Sequence, residues 1–202
     1  MAPIYPDLWK LAAVSVVLCV LLYTVIVVAF GITPELMLLK VGMIITCVGL
    51  FWVYFDKWGW KQKWVRLGGW LTDIPNLNGR WVGTVDRMGE NDPHEFVVEI
   101  RQTYLRTQLH TYSKNSRGSS ITAQFITDPL HGRYRLISTW ECHTKNRIDQ
   151  SVIDEFIGTS VYSIIEKENE RVLEDYYFTR RHPQTTGITQ LKYMGKKLQN
   201  GV

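Results

Sequence analysis

From Leu11 to Pro34 the chain carries no charged residue. At about 1.5 Å of rise per residue, a helix of that length crosses the roughly 30 Å hydrocarbon core of a bilayer. A cleavable signal peptide has a shorter apolar core and a small-residue cleavage site. No such site follows here, and a second apolar run, Leu36–Phe55, comes directly after the first. The sequence therefore predicts two transmembrane helices, at about residues 8–30 and 36–55, within a membrane segment 1–56. The link Gly31–Glu35 is so short that the pair must form an antiparallel hairpin.

The flanks of the hairpin set its expected orientation. Lys57, Lys61, Lys63 and Arg66 follow the second run among Trp58 and Trp60, whereas the link carries only Glu35. Basic residues stay on the cytoplasmic side and tryptophans mark the interface. Both termini of a multi-pass protein are thus expected in the cytoplasm, with residues 57–76 as a basic, Trp-rich linker on anionic membrane lipid. Lys40 can snorkel to the opposite surface. Small residues recur at helical spacing, Ala12, Ser15 and Cys19 on the first helix and Gly42, Thr46 and Gly49 on the second. Such faces let helices approach closely. They either pack the hairpin itself or join copies of the chain.

After Thr72–Gly79 the hydrophobic period changes to two. Eight strands are predicted, at about 79–88, 94–103, 105–113, 119–127, 132–142, 158–166, 171–180 and 187–197, in a domain spanning 77–202. They are rich in Val, Ile, Thr, Tyr, Phe and Trp, with turn residues between them. Short links favour an antiparallel up-and-down β-barrel over a sandwich, and closure removes exposed sheet edges. A barrel of this size holds one small ligand. The fold class expected is an N-terminal two-helix transmembrane hairpin followed by an all-β, eight-stranded, lipocalin/avidin-like barrel.

Gly79-Arg80-Trp81 opens the first strand, and a Gly-x-Trp there resembles lipocalins and avidins, in which the Trp plugs the closed end. On that likeness the meander assigns the opposite, open rim. Arg87, Thr111, Ser119, Trp140, Thr159, Thr179 and Arg180 fall near it, with Gly187, and Tyr177 and Tyr162 lie deeper. Arginine pairs with phosphate through charge-assisted hydrogen bonds. Aromatic faces stack on bases. The candidate ligand-binding set is therefore Arg180, Tyr177, Thr159, Trp140, Thr179, Ser119, Thr111 and Arg87, for a nucleotide-like anion.

Other chemistries find little support. The five histidines are scattered, no metal-ligand spacing occurs, and neither a P-loop nor a Gly-x-Ser-x-Gly is present. An enzyme, a metal and a cofactor are not expected. The three cysteines form no framework, which fits a reducing compartment. A net charge of +4 is compatible with an anionic ligand or lipid, and a nucleic-acid polymer is not expected.

The order of parts resembles one known family. Two N-terminal apolar helices and a Trp/basic segment precede Pro75-Asn76-Leu77-Asn78-Gly79-Arg80-Trp81-Val82-Gly83. Phe156-Ile157-Gly158-Thr159, Leu173–Arg180 and Gly187-Ile188-Thr189 also match. Together they look like the two-transmembrane β-barrel effector of bacterial cyclic-oligonucleotide anti-phage signalling (CBASS). The resemblance implies a cyclic dinucleotide ligand, made by a partner nucleotidyltransferase (CD-NTase) after infection. It also implies location in the bacterial inner membrane, homo-oligomer assembly of the helices on activation, membrane disruption and death of the infected cell. On this reading Arg180→Ala weakens ligand binding, and Gly42→Leu blocks toxicity while binding survives. A membrane-tethered carrier of a lipid or other small metabolite, and a solid barrel that anchors a protein partner, are the competing readings.

Overall fold

The computed structural model describes residues 2–3, 8–30, 37–66, 72, 74–88, 93–128, 133–145, 153–167, 170–182 and 184–198. Two compact units emerge: residues 74–102 and 106–202 with 1–4 form one, and residues 5–73 with 103–105 form the other.

The helical unit contains α1 (Leu8–Phe30) and α2 (Met37–Lys57). Among the described residues, one span, Trp9–Ala29 in α1, is long and apolar enough to cross a membrane. The helix α2 falls where the second run was expected, but the two-helix transmembrane hairpin is not established by this test. The predicted link Gly31–Glu35 lies outside the described residues. The two helices meet where Trp52 Nε1 donates to Ser15 Oγ at 2.9 Å. On α2, Ile44 and Phe55 are buried, whereas Gly42, Thr46 and Gly49 are exposed. The small residues of α2 therefore face away from α1, whereas Ser15 on α1 takes part in the contact. A 3-10 turn (Gly59–Lys61) and a one-turn helix α3 (Lys63–Arg66) interrupt the predicted linker, with Trp60 and Val65 buried.

The other unit is the barrel. Ala2–Pro3 forms a two-residue strand, β1. The barrel strands are β2 (Gly79–Arg87), β3 (His94–Gln102), β4 (Thr107–Ser113), β5 (Ser116–Asp128), β6 (Arg133–Lys145), β7 (Ile153–Lys167), β8 (Glu170–Thr179) and β9 (Thr186–Gly195). Each pairs antiparallel with the next, and β2 pairs with β9 to close the ring. All eight predicted barrel strands are present. The gap between the predicted strands 132–142 and 158–166 is narrower than expected, because β6 runs on to Lys145 and β7 begins at Ile153. The pairing of β1 with β5 at Ala2↔Thr127 was not anticipated; two residues carry no periodicity to read.

One end of the barrel is filled. Trp81 is fully buried and donates from Nε1 to the Leu77 carbonyl at 3.0 Å. Arg171 lies over its ring at 5.6 Å and donates to the Asn76 carbonyl at 2.6 Å. Gln102 pins the strap before β2, accepting from Leu77 N at 2.8 Å and donating to the Pro75 carbonyl at 3.0 Å. Leu109, Leu136, Leu173 and Leu191 complete this apolar floor. The plug at Trp81 matches the expectation, while lipocalin identity itself is not established by it.

Candidate functional site

Above the filled half the barrel is hollow. The cavity has a volume of about 70 Å³, below the roughly 300–1,000 Å³ of pockets that enclose a whole small molecule. Inward-facing residues alternate along each strand, so the strands β2 to β8 that line the cavity each contribute from one parity. Arg87 ends β2, His94 opens β3 and Arg181 follows β8, which puts two guanidinium-bearing residues in the lining. Arg181 sits over the Phe156 ring at 5.3 Å. Below them lie Trp140 and Tyr177, with ring centroids 6.4 Å apart.

Glycine shapes the wall beside both rings. Trp140 faces Gly158 across β6–β7, and Tyr177 faces Gly187 across β8–β9. A Cβ at Gly158 would overlap the Trp140 indole, and one at Gly187 would meet Tyr177 Cε1 and Oη at 2.7 Å. Each ring therefore lies against bare backbone and leaves the lumen open. Gly158→Val is expected to push the indole into the cavity and to destabilise the barrel by about 1–3 kcal/mol, read from its denaturation midpoint.

A polar network holds the middle of the cavity. Trp140 Nε1 donates to Ser160 Oγ at 2.9 Å, and Ser160 Oγ donates to Asp175 Oδ2 at 3.0 Å. Thr189 Oγ1 donates to the same oxygen at 3.3 Å. Burial pushes the Asp175 carboxyl up from 3.8 to about 7, against the hydrogen bonds from Ser160 and Thr189 and the Val161 backbone, which favour the ionised form. Burial also raises the Tyr162 phenol well above its usual range, helped by the Asp175 charge. The buried Cys142 thiol is raised by desolvation, against Ser116, Arg87 and Arg181.

The family described as "Cap15, cyclic dinucleotide receptor domain" matches residues 72–193, more than half of the chain. The chain belongs to this family. The match starts just before the strap and ends within β9, so it spans the eight barrel strands. A curated relative, CD-NTase-associated protein 15 of Yersinia aleksiciae, is 33% identical over 99 residues, 48% of this chain and 45% of that protein. The chain thus spans about half the length of the curated relative it matches.

For this member of the Cap15 receptor family, the cavity gathers five of the eight residues expected from sequence: Arg87, Thr111, Trp140, Tyr177 and Thr179. The other three face elsewhere. Ser119 is exposed on the outer side of β5. Thr159 and Arg180 line a second, more open pocket of about 600 Å³, with Phe178 and His182. The reason is parity: Thr159 lies between the inward Gly158 and Ser160, and Arg180 follows the inward Thr179. The neighbouring Arg181 takes the inward position that the sequence reading gave to Arg180. Asp175, Ser160 and Phe156 also line the cavity and were not among the residues expected from sequence. The inward parity of Tyr177 would have flagged Asp175, two residues before it. Lys192 faces outward, paired with Glu170 at 2.9 Å.

Proposed function

We propose that the chain is a membrane-anchored receptor of antiviral defence, whose barrel binds a cyclic dinucleotide inside the cavity. One observation carries the reading: a hollow with arginines at its mouth and aromatic, hydroxyl-rich walls, in a chain of the cyclic dinucleotide receptor family. Arg87 and Arg181 take the phosphates, Trp140 and Tyr177 flank a base, and Thr111 and Thr179 contact the ribose-phosphate ring. A carboxyl on the cavity wall makes a poor bed for an acyl chain, which weighs against a lipid carrier. The signal comes from a partner CD-NTase.

Both α1 and α2 cross the inner membrane in this proposal, with the termini in the cytoplasm. The ligand-bound form self-associates through the exposed Gly42–Thr46–Gly49 stripe and disrupts the membrane, killing the infected cell. Binding shifts that equilibrium only if the assembled form holds the ligand more tightly than the monomer. Gly42→Leu is expected to abolish dye entry into cells that make the ligand, while ligand binding by the unassembled chain survives. Dye entry at the normal rate would remove this face from the assembly.

Calorimetric titration of the full chain in detergent micelles tests the receptor step. Arg181→Ala and Arg87→Ala are each expected to weaken cyclic dinucleotide binding about tenfold to a hundredfold, the scale of a lost charge-assisted hydrogen bond. Arg180→Ala, on the outer lip, is expected to weaken it less than Arg181→Ala. The reverse order would put the phosphates outside the mouth.

A further inference from the structure

Asp175 faces the cavity with both of its side-chain donors gathered on one carboxylate oxygen, and the Val161 backbone also approaches the carboxyl. Ser160 and Thr189 both donate to Oδ2. Oδ1 is cut off from solvent and makes no hydrogen bond among the described residues. The residue is 3% exposed and lines the cavity beneath Trp140 and Tyr177. A buried acceptor without a donor is costly, so its presence calls for a reason outside the barrel's own packing. Its orientation is fixed as well. Ser160 accepts the Trp140 N–H, so its own proton is committed to Asp175 Oδ2, and a ligand that opens the packing around Oδ1 finds that oxygen without a side-chain donor.

We infer that Asp175 selects the ligand's base, Oδ1 accepting a ring N–H from a nucleobase lodged in the barrel, so that guanine and uracil are preferred over adenine and cytosine. The inference rests on the nucleotide reading of the cavity. Guanine N1 and uracil N3 carry a hydrogen at the edge that reaches deepest when the ribose stays near the mouth. Adenine N1 and cytosine N3 present a lone pair there, which an ionised carboxylate repels. Trp140 and Tyr177 tolerate any base, because each base has a π-face. They supply affinity, and discrimination falls to the acceptor.

The test is Asp175→Asn. The amide oxygen keeps the donors from Ser160 and Thr189, and the amide NH₂ then stands where Oδ1 stood. A position that accepted now donates. The probes are the symmetric cyclic dinucleotides of guanine, uracil, adenine and cytosine, titrated at pH 8 into the full chain in detergent micelles. Wild type is expected to bind the guanine or uracil compound at least about tenfold more tightly than the adenine and cytosine compounds. Asp175→Asn is expected to erase or invert that ratio.

A second measurement needs no variant. At pH 6 a protonated Asp175 donates from Oδ1, so the wild-type ratio narrows. The titratable and charged groups around the same cavity are Tyr162 on β7, Cys142 on β6, His94 on β3, Arg87 on β2, and Tyr177 and Arg181 on or after β8. A charge change at His94 on the rim alters affinity for all four probes alike, and the ratio cancels it. A wild type that favours adenine, or a ratio equal in wild type and Asp175→Asn and flat with pH, overturns the inference and leaves the receptor reading standing. Absence of binding to all four probes overturns both.

Discussion

Trp81→Ala is expected to lower the stability of the barrel by about 3–5 kcal/mol, the range for removing a buried large aromatic. The indole is fully buried at the filled end. Its loss opens a void among leucines and removes the donor to the Leu77 carbonyl. It also strips Arg171 of one of its two ring partners, leaving Tyr193 at 5.6 Å. Trp81→Phe keeps part of the volume and is expected to cost less, though the hydrogen bond is lost. The plug and the mouth lie at opposite ends, so ligand affinity of the folded variant is expected to stay within about threefold of wild type, under 1 kcal/mol. Chemical denaturation of the full chain in micelles reads the first effect and titration with a cyclic dinucleotide reads the second. A stability loss below 1 kcal/mol would show that the barrel bottom does not depend on its plug.

The second large effect concerns pH. The folded Asp175 carboxyl keeps its proton up to about pH 7, whereas the unfolded chain releases it near 3.8. Between those values the folded state binds more protons than the unfolded state, so stability falls as pH rises through the window and levels off above it. This is the opposite of the usual salt-bridged carboxylate. A shift of about three units corresponds to a loss of about 4 kcal/mol at full ionisation. Asp175→Asn has no such proton, so its stability advantage over wild type is expected to grow from pH 4 to pH 8. Taking the difference between the two proteins cancels groups they share, including His94. An advantage that stays constant across this range would mean that Asp175 ionises in the barrel as it does in water. A saturating ligand that donates to Oδ1 is expected to reduce the deficit, since the unmade hydrogen bond is then supplied.

The stability deficit and the empty acceptor are two aspects of one feature. Core positions of a receptor give up packing where the ligand must sit. In this barrel the strands divide accordingly. Leu136, Leu173 and Leu191 fill one half, and further along the same strands come Trp140, Asp175 with Tyr177, and Gly187 with Thr189.

How much of this was legible in the sequence follows from which signals are periodic. Alternating Val, Ile, Thr and Tyr fixed the eight strands to within a few residues, and Gly-x-Trp placed the filled end. The meander then put Arg87, Thr111, Trp140, Tyr177 and Thr179 at the ends of their strands that line the cavity. Facing was harder. An error of one residue inverts a strand's faces, and that is what separates Arg180 from Arg181 and Thr159 from Ser160. On β5 an irregularity between Ser120 and Thr122 resets the alternation, so facing cannot be carried straight through from Phe125 to Ser119. Asp175 stayed hidden because an acid in a strand reads as solvated by default, and only the ring of Ser160, Thr189 and Trp140 around it reveals otherwise. The exposure of Gly42, Thr46 and Gly49 could not be read from spacing, since small residues serve a hairpin and an assembly equally.

Anion capture at the barrel mouth is the step on which the proposed receptor function depends. The most direct measurement is isothermal titration of the full chain with a panel of cyclic dinucleotides at low and moderate salt, repeated on the double variant Arg87→Ala/Arg181→Ala. Saturable binding of one ligand per barrel is predicted, weakening as salt rises and lost in the folded double variant. Binding that is indifferent to both arginines and to salt, or no binding by any member of the panel, would contradict it.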